Sequence, residues 1–197
     1  MEKHIVITEE TVRHALSYVP VFTKETFVEH CAPGCLDTVR CSLGESADLA
    51  MPNMYKENTF KRSRYMMTAF VVFYLGTPLK EVPSEDGDDW LMTQDEYDKW
   101  ASSHVFNQLE RMKGKADLRD KVFDMLRDFR DLEKRLSTGI YSMLNVMNDV
   151  TNRIFLKVQQ DTSAEALEEQ RKTLNDLVEE FNRMKEEKEK QENLGKE

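Results

Sequence analysis

A chain of 197 residues has room for one good core and an appendage, and three cysteines, an odd number, do not make a disulfide framework. Hydrophobic residues are 40% of the chain and charged ones 33%, while 7 glycines and 5 prolines are too few for the turns of a sandwich or barrel. A net charge of -9 argues against a dedicated nucleic-acid binder, which needs a clustered basic surface.

The charge is unevenly placed. Residues 81–98 hold eight acids and no base, and residues 161–197 hold twelve acids against seven bases. The remainder is net basic, with Lys56, Lys61, Arg62 and Arg64 close together. No apolar stretch of a secretion signal follows Met1-Glu2-Lys3-His4, and the longest apolar run, residues 65–75, falls far short of the ~20 residues that cross a bilayer. With reduced thiols, these features predict a cytoplasmic protein without a membrane segment.

In chain order, Thr8 before Glu9 and Glu10 predicts a helix start, a capping hydroxyl with two acids in the first turn. Val12, Ala15, Leu16 and Val19 then share one face, and Pro20 stops the helix. Thr23 is expected to cap a second helix through Phe27, Val28 and Cys31, ended by Pro33 and Gly34. Residues 36–43 fit either a short helix or an extended piece, and residues 44–53 a loop. Asn58 or Thr59 starts a third helix, whose 65–75 stretch is apolar all round and therefore central. Its Val71-Val72-Phe73-Tyr74 segment also suits a buried strand.

Residues 77–92 form an acidic loop. Thr93 and Glu96 make a capping box before a helix that buries Tyr97, Trp100, Ala101, His104, Val105, Leu109 and Met112, with Gly114 as its breaker. Val122, Met125, Phe129, Leu132, Leu136, Met143, Val146 and Val150 follow alternating spacings of three and four, with Gly139 at the missing seam position. Asp131 and Arg135 pair on the surface of this long helix. After residue 161 a last helix carries a narrow seam of Leu167, Leu174, Leu177, Phe181 and Met184 before a charged tail. The predicted fold is mostly α: a helical bundle over residues 1–160 with a long central helix, then a charged amphipathic C-terminal helix over 161–197.

The sharpest chemical cluster is His30, Cys31, Cys35 and Cys41, three thiols and an imidazole that offer tetrahedral zinc ligands around a Pro33-Gly34 turn. A second, distant ligand pair is missing, so the favoured reading makes Cys31 and Cys35 small core residues beside the turn. A cysteine nucleophile is disfavoured as well, because His30 and Cys31, as helix neighbours, point about 100° apart. His104 reads as a structural core histidine. The loop around Gly87 fails as an EF-hand, since Val82 and Thr93 would fall on its first and last ligand positions. The basic residues Lys61, Arg62 and Arg64 read as the wet end of a buried helix. No phosphate loop, dinucleotide fingerprint, zinc-protease motif or nucleophile elbow occurs, so no enzyme and no cofactor are expected.

Met51-Pro52-Asn53-Met54-Tyr55-Lys56-Glu57-Asn58, residues 100–110 and Leu118-Arg119-Asp120-Lys121 resemble small helical prophage proteins of Gram-positive bacteria, tail assembly chaperones among them. The resemblance is one of style over about half the chain and rests on no defining motif. It implies an acidic, helical, non-enzymatic protein that binds an aggregation-prone tail protein, and it carries over no functional residue. The expectation is a helical interaction protein binding a protein partner or itself through Leu174, Leu177, Phe181 and Met184. The alternative is a small metal-binding or thiol regulator centred on Cys31, Cys35 and Cys41.

Overall fold

Local capping sets the element boundaries in the computed structural model, which describes residues 4–39, 54–79, 88 and 90–161, side chains to residue 157, and isolated positions beyond. Cys41, the loop at residues 44–53, and the seam of Leu174, Leu177, Phe181 and Met184 lie outside the described residues. The chain divides into two compact units, Met1–Arg40 with Asn53–Asn148, and Cys41–Pro52 with Asp149–Glu197. The fold is mostly α-helical. Among the described residues no helix is long and apolar enough to cross a membrane.

In the first unit, Thr8 caps α1 (Glu9–His14) by accepting a hydrogen bond from the Thr11 amide at 3.1 Å. The helix ends at His14, earlier than Pro20, because Ala15 turns extended and the Leu16 amide donates to Tyr74 O at 2.8 Å. Val12, Ala15 and Val19 remain buried, but Leu16 points outward. Helix α2 (Val21–Gly34) starts directly after Pro20 and not at a Thr23 cap. Proline's fixed backbone angle suits a helix entrance, so Pro20 takes the capping position itself. Of residues 36–43, the described ones, 36–39, take the extended reading: β1 (Leu36–Val39) pairs antiparallel with β2 (Met54–Glu57), Leu36 opposite Glu57 and Val39 opposite Met54.

Asn58 caps α3 (Thr59–Ala69), accepting from the Lys61 amide at 2.9 Å. The apolar run is helical and not a strand, and it passes at Phe70 into a π-helical turn (Phe70–Tyr74) closed by Leu75 N donating to Phe70 O at 3.1 Å. Arg64 is buried and donates to the Met92 carbonyl at 2.6 Å, so the basic helix start is not wholly a wet end. Arg62 reaches Glu57 at 3.0 Å and Ser137 at 2.8 Å, which ties the sheet to the long helix.

Thr93 caps α4 (Gln94–Ser102) through the Glu96 amide at 3.3 Å. The single helix expected up to Gly114 is instead two, because His104 adopts a left-handed conformation (φ 51°) before α5 (Val105–Met112). His104 is exposed and is not a core histidine. The break releases the Ser103 carbonyl, which accepts from Gln108 Nε2 at 2.7 Å, and the same amide bonds Ile5 O at 2.9 Å and receives Ile7 N at 2.9 Å. The kink is thus the place where the extended residues 4–7 dock.

Helix α6 (Arg119–Asp161) buries Val122, Met125, Phe129, Leu132, Leu136 and Ile140 against the other helices. A Cβ on Gly139 would lie 2.7 Å from Val28 Cγ1, so glycine permits the close approach of α2. Phe129 closes an aromatic cluster with Phe70 (5.1 Å between ring centres), Tyr74 (5.7 Å) and Phe106 (5.5 Å). Val146 faces solvent, contrary to the seam pattern; burial fades after Ile140, and near the end of this unit α6 offers Asn148, whose amide exchanges two hydrogen bonds with the Tyr55 backbone (2.9 and 3.2 Å). In the second unit the described part of α6 carries Val150, Ile154 and Leu156, each about half exposed.

Candidate functional site

Four apolar side chains crowd the surface between α1 and α2. Leu16, Tyr18, Val21 and Phe22 fall within seven residues, and all are exposed, Phe22 at 79%. Singly, exposed apolar residues need no explanation, but a run of them on a connecting segment marks a contact surface. The segment is held rigidly at three points. Leu16 N donates to Tyr74 O, Val19 N donates to Asp128 Oδ2 at 2.9 Å, and Val19 itself is buried.

The third point is a charge cluster. Lys24 Nζ lies 2.6 Å from Asp128 Oδ1 and 3.0 Å from Asp131 Oδ2, and Asp128 Oδ2 also accepts from the Tyr74 hydroxyl at 2.9 Å. Burial, reinforced by that bond to Asp128, pushes the Tyr74 phenol far above its ordinary range, so it stays a donor at any physiological pH. Asp131 is held below the usual carboxylate range by hydrogen bonds from Arg135 (2.9 Å) and Lys24. Lys24 also sits 5.1 Å from the Tyr18 ring centre, the ammonium against the aromatic face. The predicted Asp131–Arg135 pair is therefore one edge of a network that fixes where Tyr18 and its neighbours project.

The sequence singled out the cysteine cluster, and the structure places three of its four members. Cys31, on the buried face of α2, and Cys35, at its C-cap, lie one turn apart, both buried and both free thiols. Burial, aided by the nearby Asp88 carboxylate, pushes Cys31 far above the ordinary thiol range; burial, with Glu57 adding to it, pushes Cys35 up to about 12. His30 does not join them. Its Nε2 donates to Asp88 Oδ1 at 3.0 Å, and its ring lies 5.3 Å from the Trp90 ring. Among the described residues no three His, Cys, Asp or Glu side chains gather closely enough to hold a metal ion.

Asp88 belongs to the stretch read as an acidic loop, and in the structure it is an anchor. It accepts from the Tyr65 hydroxyl, from His30 and from the Trp90 amide at 2.8 Å. Burial pushes its carboxyl up, but these hydrogen bonds outweigh burial and hold it below the usual range.

Sequence reasoning missed the 16–22 surface because it assigned Leu16 to an inward helix face and passed over Tyr18 and Phe22. The available signal was Pro20: two large aromatics flanking a proline sit poorly in a core but well on a turn. No family model, no curated protein and no solved structure matches the chain.

Proposed function

We propose that this chain is a helical protein–protein interaction protein that offers apolar side chains to another polypeptide. The observation that carries this reading is the exposed run Leu16, Tyr18, Val21 and Phe22, held in place by the Lys24–Asp128–Tyr74 cluster. Rigid aromatics that are already positioned lose little entropy on binding, which is the property of interface anchors. Within this reading the resemblance to tail assembly chaperones names the partner class to seek first, an aggregation-prone assembly protein. The C-terminal seam of Leu174, Leu177, Phe181 and Met184 is a second contact in the same proposal.

The test is native mass spectrometry of the full chain purified gently from its own host, beside a Tyr18→Ser/Phe22→Ser double variant. A stoichiometric polypeptide on the parent chain, lost from the double variant at unchanged thermal stability, is the expected result. A bare monomer, or a partner retained in full by the double variant, overturns the assignment of this surface.

A further inference from the structure

A cavity of about 400 Å³ opens among α3, α4, α5 and α6 on the first unit, within the size range of small-ligand pockets. Met66, Met67, Leu126 and Phe129 form its apolar lining, and Phe106 stacks on Phe129 beside them. Methionines next to aromatic rings make an adaptable wall for a ring or branched chain. Four polar side chains, Ser63, Glu110, Arg130 and Glu133, border this lining together with the phenol of Tyr97.

The charges on the border are not equivalent. Glu110 is paired with Lys113 at 2.6 Å, and Glu133 faces Arg62 at 3.4 Å. The Ser63 hydroxyl is satisfied by the Thr59 carbonyl at 2.9 Å. Arg130 has no ion-pair or hydrogen-bond partner among the described residues, and neither has the Tyr97 hydroxyl. The lining thus includes one cation and one hydroxyl with no partner among the described residues, while Glu110 is paired with Lys113 and Glu133 shares Arg62 with Glu57. A guanidinium and a hydroxyl lining one hollow suit a carboxylate, which accepts several hydrogen bonds at once.

We infer that this pocket binds a small organic carboxylate with an aromatic or branched aliphatic tail, the tail among the methionines and the carboxylate on Arg130 and Tyr97. A neutral amide of the same shape fills the hollow but gains less from Arg130, whose N–H groups bond a neutral carbonyl more weakly than a carboxylate. A cationic one meets an unpaired positive charge. The inference stands on this pocket alone and does not need the interaction surface at residues 16–22.

The experiment is an NMR titration of the full chain, methyl-labelled at methionine and leucine, with 3-phenylpropionate and separately with its neutral amide. Saturable shifts at Met66, Met67 and Leu126, with the acid binding about tenfold more tightly than the amide, are expected from a charge-assisted hydrogen bond. Arg130→Gln, at an exposed position, should abolish that tenfold preference without moving the unfolding midpoint. Absence of saturable shifts at these methyls, equal affinity for acid and amide, or an undiminished preference in Arg130→Gln overturns the inference.

Discussion

Lys24 and Asp128, 104 positions apart in the sequence, meet at 2.6 Å with the lysine side chain only 1% exposed. The pair joins the start of α2 to the first half of α6, and Asp128 simultaneously takes the Val19 amide and the Tyr74 hydroxyl. Removing Asp128 leaves the buried Lys24 with Asp131 alone and strips the Val19 amide and the Tyr74 hydroxyl of their acceptor. Asp128→Ala is expected to cost about 3–5 kcal/mol, read as a lower midpoint in urea unfolding. Lys24→Met together with Asp128→Asn, whose amide oxygen still accepts from the Val19 amide and the Tyr74 hydroxyl, should recover part of that loss. A loss from Asp128→Ala below about 1 kcal/mol, the size of an exposed pair, would mean that the cluster is not an anchor.

Gly139 tests the packing of α2 on α6. Alanine in a helix interior ordinarily gains about 1 kcal/mol over glycine. Here its methyl would collide with Val28 at 2.7 Å, so Gly139→Ala should be net destabilising, by about 1–3 kcal/mol from overpacking. Gly139→Ala combined with Val28→Ala should relieve most of it. If Gly139→Ala instead raises the melting temperature, the two helices are not in close contact there.

Asp88 predicts an acid-side dependence of stability. Its carboxyl is held below its unfolded value, so its contribution is present in full above about pH 4 and is lost as pH falls through the folded value. Urea unfolding at pH 5 and at pH 3 should show a smaller drop for Asp88→Asn than for the parent chain. Asp131, also depressed, leaves a residual drop in both. Equal drops in the two proteins would count against the Tyr65–Asp88–His30 anchor.

The thiols of Cys31 and Cys35 are kept protonated by burial, and the thiolate is the reactive form. Alkylation with iodoacetamide at pH 8, followed by peptide mass mapping, should leave both largely unmodified in the folded protein and label both after denaturation. Rapid labelling of Cys35 in the folded state would revive a thiol-based role for this stretch.

Much of the helical framework is legible from short-range chemistry. Thr8, Asn58 and Thr93 each accept an amide three residues on, which is why sequence alone placed three helix starts. The buried seam from Val122 to Leu136 is legible for a similar reason, since its spacing is a property of one helix. The break at His104 is not, because it arises from competition between two packed faces, resolved by Gln108 and the extended N-terminal residues. The interaction surface was hidden for a related cause. Leu16 faces outward because its amide bonds a carbonyl 58 positions away, and Lys24 is buried because its carboxylates lie on α6. Neither partner is signalled by local spacing.

The π-helical turn at residues 70–74 has a consequence for how this chain tolerates length changes. Such a turn accommodates one residue more than an α-turn, so it behaves as an insertion already absorbed by the backbone. Deleting Val72 would let the backbone relax to an ordinary α-turn with its amides still paired. Side chains on either side of the deletion would keep their relative phase, because the wide turn had taken up the extra residue, whereas a deletion in an ordinary α-turn rephases everything after it by about 100°. Tyr74 would still meet Asp128 and its carbonyl the Leu16 amide, so this one position can lose a residue while the surface at residues 16–22 stays fastened.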